Sequence, residues 1–502
     1  MLKLKLNESL QPSCGAVFFV LPKNFENSKS FENAKQLLPD AMALLTHHKF
    51  TGAEDQVCHI VHKLDGVLTK LFFVGAGDLE KYKHISDFTK YRNALGVIVD
   101  QIKKYQIRSS CVELINFVPQ FIDEENFLHE SFVALLMAQY EFNVFKDARN
   151  KKEDSLLELN IVSRSINSEK QSAILKKAEI IAEAINMVRG LGDLPANIAN
   201  PSFICEKAKD VAKKYNLEFK SFGKDKMKEL GMGGVLAVGS GSVNEPQFFE
   251  IKFTSKNPGA KTIAVIGKGV TFDTGGVSLK PSNYMNGMKY DMSGAASTIG
   301  IAQIVAQLNP NVNVVCIAPL VENMPSGSAY RQDDIVTHMN GITTEVNNTD
   351  AEGRLILADA ICYAEKFYKP NIIIDIATLT GACVVALGHF FTGMFTNDQT
   401  IADELKKIGD HAGDFVWQLP CDDNFDKGIE SSVADISNTG KSSFSGGAST
   451  AACFLRRFVD QASWVHLDIA GTEADMPIKS YLGKTATGAS VRLISRFILE
   501  YF

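Results

Sequence analysis

The chain has 502 residues, 45% hydrophobic and 22% charged, ordinary proportions for a folded protein in water and a length that calls for two or three domains. A formal net charge of -6 gives no general attraction to nucleic acid or anionic lipid, although net charge does not report its distribution. Nine cysteines without a Cys-x-x-Cys pair argue against a disulfide framework or a thiolate zinc site, and they fit reduced thiols in a cytoplasmic protein.

Residues 1–7 alternate apolar and charged side chains, which reads as a strand rather than a signal peptide. The apolar run 16–21 is far too short to span a membrane, and no membrane segment is expected. Further strands are expected at 16–21, 57–64, 70–75, 111–117 and 157–163, with helices at 86–104 and 129–145. That alternation describes an α/β domain with its own core and no cluster of metal-ligand residues. A single long helix follows over 169–191, ended by Gly190, Gly192 and Pro195. The loop 193–201, rich in proline and asparagine, reads as the entry to a second domain.

Beyond it the pattern changes. Segments 263–265, 314–319, 372–376 and 465–469 are short and apolar on nearly every position, with β-branched residues recurring, as strands buried on both faces are. Helices are expected at 294–307 and 355–367. Each strand leads into a polar, glycine-containing segment: 267–276, 322–327, 377–382 and 470–472. Ligands of open α/β sheets bind outside the carboxyl ends of the strands, so these segments point to one site.

The richest segment is 348–355, Asn-Thr-Asp-Ala-Glu-Gly-Arg-Leu. Asp350 and Glu352 are two apart, and extended backbone would aim both carboxylates the same way. Gly353 allows a sharp turn, and Arg354 falls near a helix start. By itself the segment fits either a solvated turn or a site for metal ions and an anion. Segment 267–276 matches neither nucleotide-binding glycine spacing, and it carries Lys268 and Asp273; Lys280 and Asp291 follow. Asp273, Asp291, Asp350 and Glu352 cannot all stay ionised close together unless cations lie between them. That is the physical case for two divalent ions, with Zn²⁺, Mn²⁺ and Mg²⁺ all suited to such ligands.

Segments 267–276, 278–281, 288–296, 322–331, 348–360, 375–388 and 464–472 resemble the signature segments of the leucyl (cytosol) aminopeptidases, bacterial aminopeptidase A-like members included. The match runs motif by motif over 190–502, while the N-terminal part resembles the family in length and layout only. The resemblance implies an α/β chain: a macro-like N-terminal α/β domain (1–166), a linking helix (167–192), and an α/β/α catalytic domain (193–502) with a mixed, largely parallel central sheet. It implies a tight metal site of Lys268, Asp273, Asp291 and Glu352, and an exchangeable one of Asp273, Asp350 and Glu352, filled by Mn²⁺ or Zn²⁺. Lys280 would polarise the scissile carbonyl, and Arg354 would hold a bicarbonate as general base. Met288, Thr378, Gly381 and Ala451 would line an apolar pocket for the first side chain of a peptide, preferably Leu. The family also implies a cytoplasmic homohexamer built as a dimer of trimers. Some bacterial members bind DNA, which the acidic charge here does not indicate.

Gln332 stands where the family often has proline, Thr274 where it often has serine, and loop 193–201 departs from the commonest wording. A binuclear phosphoesterase is the rival enzyme reading; such sites usually contain histidines, and His338, His389 and His466 lie outside the charged motifs.

Overall fold

The computed structural model describes residues 2–7, 14–81, 87–114, 122–147, 157–162, 168–443, 445–477, 479–483 and 485–502. The chain forms two compact units, Met1–Glu183 with Ile478–Gly483 and Ala184–Pro477 with Lys484–Phe502. The border falls within one helix, Ser168–Asp193, which runs through Gly190 and Gly192.

In the first unit the strands are β1 (Leu2–Asn7), β2 (Ala16–Pro22), β3 (Val57–Leu64), β4 (Val67–Gly77), β5 (Ser109–Glu113) and β6 (Leu157–Val162). They form one sheet in the order β1-β6-β5-β2-β4-β3, parallel except for the β3–β4 hairpin. In β1, Leu2 and Leu4 are buried and Lys3 and Lys5 exposed, as its alternation predicts. β2 has no polar face, and Ala16 to Leu21 are all buried. The expected strand 111–117 ends at Glu113, and residues 115–117 lie outside the described set, as do 86 and 163.

The expected helix 129–145 is corrected to Glu124–Ala138. Asp123 caps it, its carboxylate accepting the Asn126 N–H at 2.9 Å. Every residue from Phe127 to Ala138 is buried, so no polar stripe marked the helix's extent in the sequence.

The second unit is built on β7 (Glu218–Gly223), β8 (Gln247–Phe253), β9 (Thr262–Gly267), β10 (Gly269–Asp273), β11 (Asn313–Asn323), β14 (Ile372–Ala377), β15 (Thr392–Thr396), β16 (Val416–Gln418) and β18 (Ser463–Asp468). They make a nine-stranded sheet ordered β16-β15-β18-β14-β9-β11-β8-β7, with β10 beside β11. The sheet is mixed. β18, β14, β9, β11 and β10 run parallel, and β15, β8 and β7 supply antiparallel pairings. Ala264, Ile266, Val315 and Ile317 pack with the Gly353–Tyr368 helix in one core, while the alternate residues Ile263, Val265, Val314 and Cys316 are equally buried. A sheet covered on both faces explains the uninterrupted apolar runs. A separate three-stranded sheet joins β12 (Ile335–Thr337), β13 (Thr343–Glu345) and β17 (Ile436–Ser437).

Within the glycine-containing segment 267–276, Gly269–Asp273 is a strand that pairs in parallel with β11. Among the described residues no helix is long and apolar enough to cross a membrane.

Candidate metal centre

The parallel strands end together, and their carboxyl-side extensions build the site. Lys268 follows β9 directly, Asp273 closes β10, and Thr378 follows β14. Asp291 follows the short 3-10 helix Met288–Tyr290, and Glu352 precedes the Gly353–Tyr368 helix. Glu352 has helical dihedrals (φ -77, ψ -38), so Asp350 and Glu352 converge through a turn and not by extended alternation. Gly353 does not supply a left-handed turn either. Its lack of a side chain makes room for Lys268, since a Cβ there would lie 2.6 Å from Lys268 Cε.

Carboxylate oxygens of Asp273, Asp350 and Glu352 lie within 4.8 Å of one another. Lys280 Nζ lies 2.8 Å from Asp273 Oδ2 and 2.5 Å from Asp350 Oδ1. Lys268 Nζ lies 2.8 Å from both Asp291 Oδ1 and Glu352 Oε1, and it donates to the Thr378 carbonyl at 2.7 Å. Asp291 thus joins the other three carboxylates through Lys268. Two ammonium groups supply the positive charge that four buried or half-buried carboxylates demand.

The electrostatics follow from that crowding. Burial pushes the Asp273 carboxyl up to about 6, helped by the charge of Glu352 and opposed by both lysines. Burial raises Asp291 and Asp350 as well. Burial also acts to raise Glu352, but Lys268 and Lys280 outweigh it and hold Glu352 below its ordinary value. Burial alone would depress both lysines, and the carboxylates around them raise them instead. Arg354 is buried, which lowers its guanidinium to about 10 against the pull of Glu352 and Asp468.

Two asparagines outside the predicted set hold this arrangement. Asn323, the last residue of β11, donates to Asp273 Oδ1 at 2.8 Å and to the Thr349 carbonyl at 2.9 Å. Asn438 accepts Arg354 Nη1 on its backbone oxygen at 2.8 Å. Asn323 sits inside a segment the sequence singled out; Asn438 carried no signal, being a lone asparagine 84 positions from Arg354. Asp468 closes the loop after β14, accepting from Thr380 Oγ1 at 2.7 Å.

Of the pocket candidates, Thr378 is bound to the cluster, its hydroxyl donating to Asp291 Oδ1 at 2.7 Å. Met288 is half-buried, Gly381 is exposed at the start of the Gly381–Leu387 helix, and Ala451 is fully buried in the Gly447–Arg456 helix. The departures are accommodated. The Thr274 hydroxyl donates to the Asn323 carbonyl at 2.7 Å, and Gln332 Nε2 donates to Ser278 Oγ at 2.8 Å. The histidines are engaged elsewhere: His338 with Asp359 and Thr344, His466 with Asp375, and His389 with the Gly471 carbonyl.

The donor set suits divalent metal. Asp291 Oδ2 and Glu352 Oε2 are buried without a hydrogen-bond partner, a cost of about 1–3 kcal/mol each that a coordinated cation would remove. An all-oxygen cluster beside an amine, with no thiolate, is that of a hard or borderline ion.

Residues 186–495 match the sequence model of the cytosol aminopeptidase family's catalytic domain, and residues 17–149 that of its N-terminal domain. The chain belongs to the cytosol aminopeptidase family. A probable cytosol aminopeptidase of Rickettsia felis is 38% identical over 457 residues, 90% of each chain. One from Vesicomyosocius okutanii is 41% identical over 414 residues, covering 82% of this chain and 83% of its own. Among solved structures, a mutant of tomato leucine aminopeptidase is similar with a TM-score of 0.87 and 30% identity, over 99% of this chain and 96% of that one. The bottromycin maturation enzyme BotP in complex with Mn matches with a TM-score of 0.84 and 27% identity, over 97% and 100%. Membership of the cytosol aminopeptidase family makes this protein a metallo-aminopeptidase, a hydrolase acting at peptide N-termini.

Proposed function

We propose that this aminopeptidase removes the first residue of peptides, preferably Leu or another apolar residue, with two divalent ions per chain. The observation that carries the reading is the approach of Asp273, Asp350 and Glu352 within 4.8 Å, with Asp291 tied to Glu352 through Lys268. Lys268, Asp273, Asp291 and Glu352 would hold one ion, and Asp273, Asp350 and Glu352 the other. When bound, Mn²⁺ or Zn²⁺ supplies a water acidic enough to attack at neutral pH and positive charge against the developing oxyanion. BotP in complex with Mn supports manganese as one candidate.

The chain's own residues divide the remaining work. Lys268 would give up its proton to serve as a ligand, which a neighbouring dication enforces. Lys280, freed from Asp273 and Asp350, would keep its charge and polarise the scissile carbonyl. Arg354 would hold a bicarbonate that serves as general base. Its buried Nε has no acceptor, and His338, His389 and His466 are all committed elsewhere. Met288, Thr378, Gly381 and Ala451 would receive the first side chain. The assembly would be a cytoplasmic homohexamer with its sites on an interior cavity. Peptides are the partners, and neither a membrane nor DNA enters the reading.

The test is hydrolysis of leucine-p-nitroanilide by metal-stripped protein titrated with Mn²⁺ and with Zn²⁺. Activity should vanish on stripping and return as up to two ions bind. Full activity with no metal present would overturn the reading.

A further inference from the structure

Segment 347–351 carries Asp350 and leads into Glu352, yet it belongs to no regular element that could fix its shape. Its internal bonds are a turn from Ala351 N–H to the Asn348 carbonyl at 3.2 Å and one from Asp350 N–H to Asn348 Oδ1 at 2.9 Å. At Thr349 the N–H donates to Ser278 Oγ at 3.1 Å, and the carbonyl accepts from Asn323 Nδ2 at 2.9 Å and Tyr330 Oη at 2.6 Å. The backbone on either side of Thr349 closes on one side chain. Asn438 Oδ1 accepts the N–H groups of Asn347 at 2.8 Å and Asn348 at 3.3 Å. Asn438 Nδ2 donates to the carbonyls of Asn348 at 2.6 Å and Ala351 at 3.4 Å. A single amide offers two donors and one acceptor oxygen, and here all are spent on one turn.

The same residue reaches the far side of that turn. Its backbone oxygen accepts Arg354 Nη1, so Asn438 touches the chain both before and after Glu352. It is fully buried, and its own N–H donates to Glu345 O at 2.9 Å, directly after the parallel β13–β17 pairing. Asn438 is therefore anchored by its backbone beside a sheet while its side-chain amide holds the turn.

We infer that Asn438 is a positioning residue for the metal centre: it holds the turn so that Asp350 reaches the exchangeable ion while Arg354 keeps its place beside Glu352. This rests on the two-ion reading above. Residues that orient ligands from behind change metal affinity by about 10–100-fold when removed. The effect should fall on the ion held by Asp350, because Asp291 and Lys268 lie on other segments.

The experiment is a Mn²⁺ titration of metal-stripped protein, with free Mn²⁺ read by electron paramagnetic resonance and the thermal midpoint measured in parallel. The parent protein should bind two ions of unequal affinity; if it binds none, the two-ion reading itself fails. Asn438→Ala should weaken the second ion by about 10-fold or more and leave the first in place. Asn438→Asp keeps the acceptor but sets an anion against the carbonyls of Asn348 and Ala351, and it should weaken the same ion. Asp435→Ala loosens the same strand, through Thr343, without touching the turn, and its binding curve should match the parent's. Parental Mn²⁺ binding in a folded Asn438 variant overturns the inference. So does equal loss of both ions, or failure of both Asn438 variants to fold, either of which makes Asn438 a residue of general stability.

Discussion

Lys268 and Gly353 interlock: the lysine stem runs across the start of the Gly353–Tyr368 helix where a Cβ on residue 353 would lie 2.8 Å from its Nζ. Alanine is favoured over glycine within a helix by about 1 kcal/mol, but overpacking a tight site costs about 1–3 kcal/mol. Lys268 is buried among three acceptors and has nowhere to retreat, so the clash wins. Gly353→Ala should lower the thermal midpoint and weaken metal binding together. A raised midpoint with parental Mn²⁺ binding would contradict the interlock.

Arg354 and Asp350 should fail differently. Arg354→Ala removes a bond to the Asn438 carbonyl and the proposed anion holder, but none of the candidate metal ligands. Both ions should stay bound, and the loss should fall on turnover, by about 10²–10⁴-fold. Bicarbonate should speed the parent and do little for this variant. Asp350→Ala should lose occupancy of the exchangeable site. Equal bicarbonate stimulation of the parent and Arg354→Ala would remove the anion-holding role.

The raised Asp273 carboxyl sets a pH dependence. Its folded value of about 6 exceeds its ordinary 3.8, so the metal-free folded chain binds this proton more tightly than the unfolded chain does. Its contribution to stability is therefore greatest at low pH and falls as pH rises from about 4 to about 6. A metal ion must displace the same proton, so Mn²⁺ affinity should climb through that window and rise less steeply above it, where the Lys268 proton is still displaced. Isotherms at a series of pH values check this; affinity flat from about pH 5 to pH 7 would rule it out.

Assembly is tested by sedimentation. The active protein should run as a hexamer at micromolar concentration. A monomer of full activity would remove the interior cavity from the account.

The sequence was most readable where one physical demand acted alone. β2 and β9 are covered on both faces, and their apolar residues say so. The charged residues that meet in the centre were readable because unpaired carboxylates among glycines need cations. Legibility failed where partners decide. Gly269–Asp273 is a strand because β11 lies beside it, and glycine-rich composition hid that. The spacing of Asp350 and Glu352 suggested extended backbone, yet a turn clamped from Asn438 brings them together. The Glu124–Ala138 helix lost its far end to a pattern of Tyr140, Phe142, Val144 and Phe145 that continues past the last helical turn.

Strand order has a consequence for synthesis. All five candidate ligands, from Lys268 to Glu352, precede β14 in the chain, yet β14 lies between β9 and β18 in the sheet. A growing chain that has just emerged past Glu352 holds every ligand and lacks the strand that flanks β9, the Thr378 carbonyl that fixes Lys268, and Asn438. Non-local pairing of this kind closes late. At that length the chain thus holds every candidate ligand before the groups that fix two of them are made.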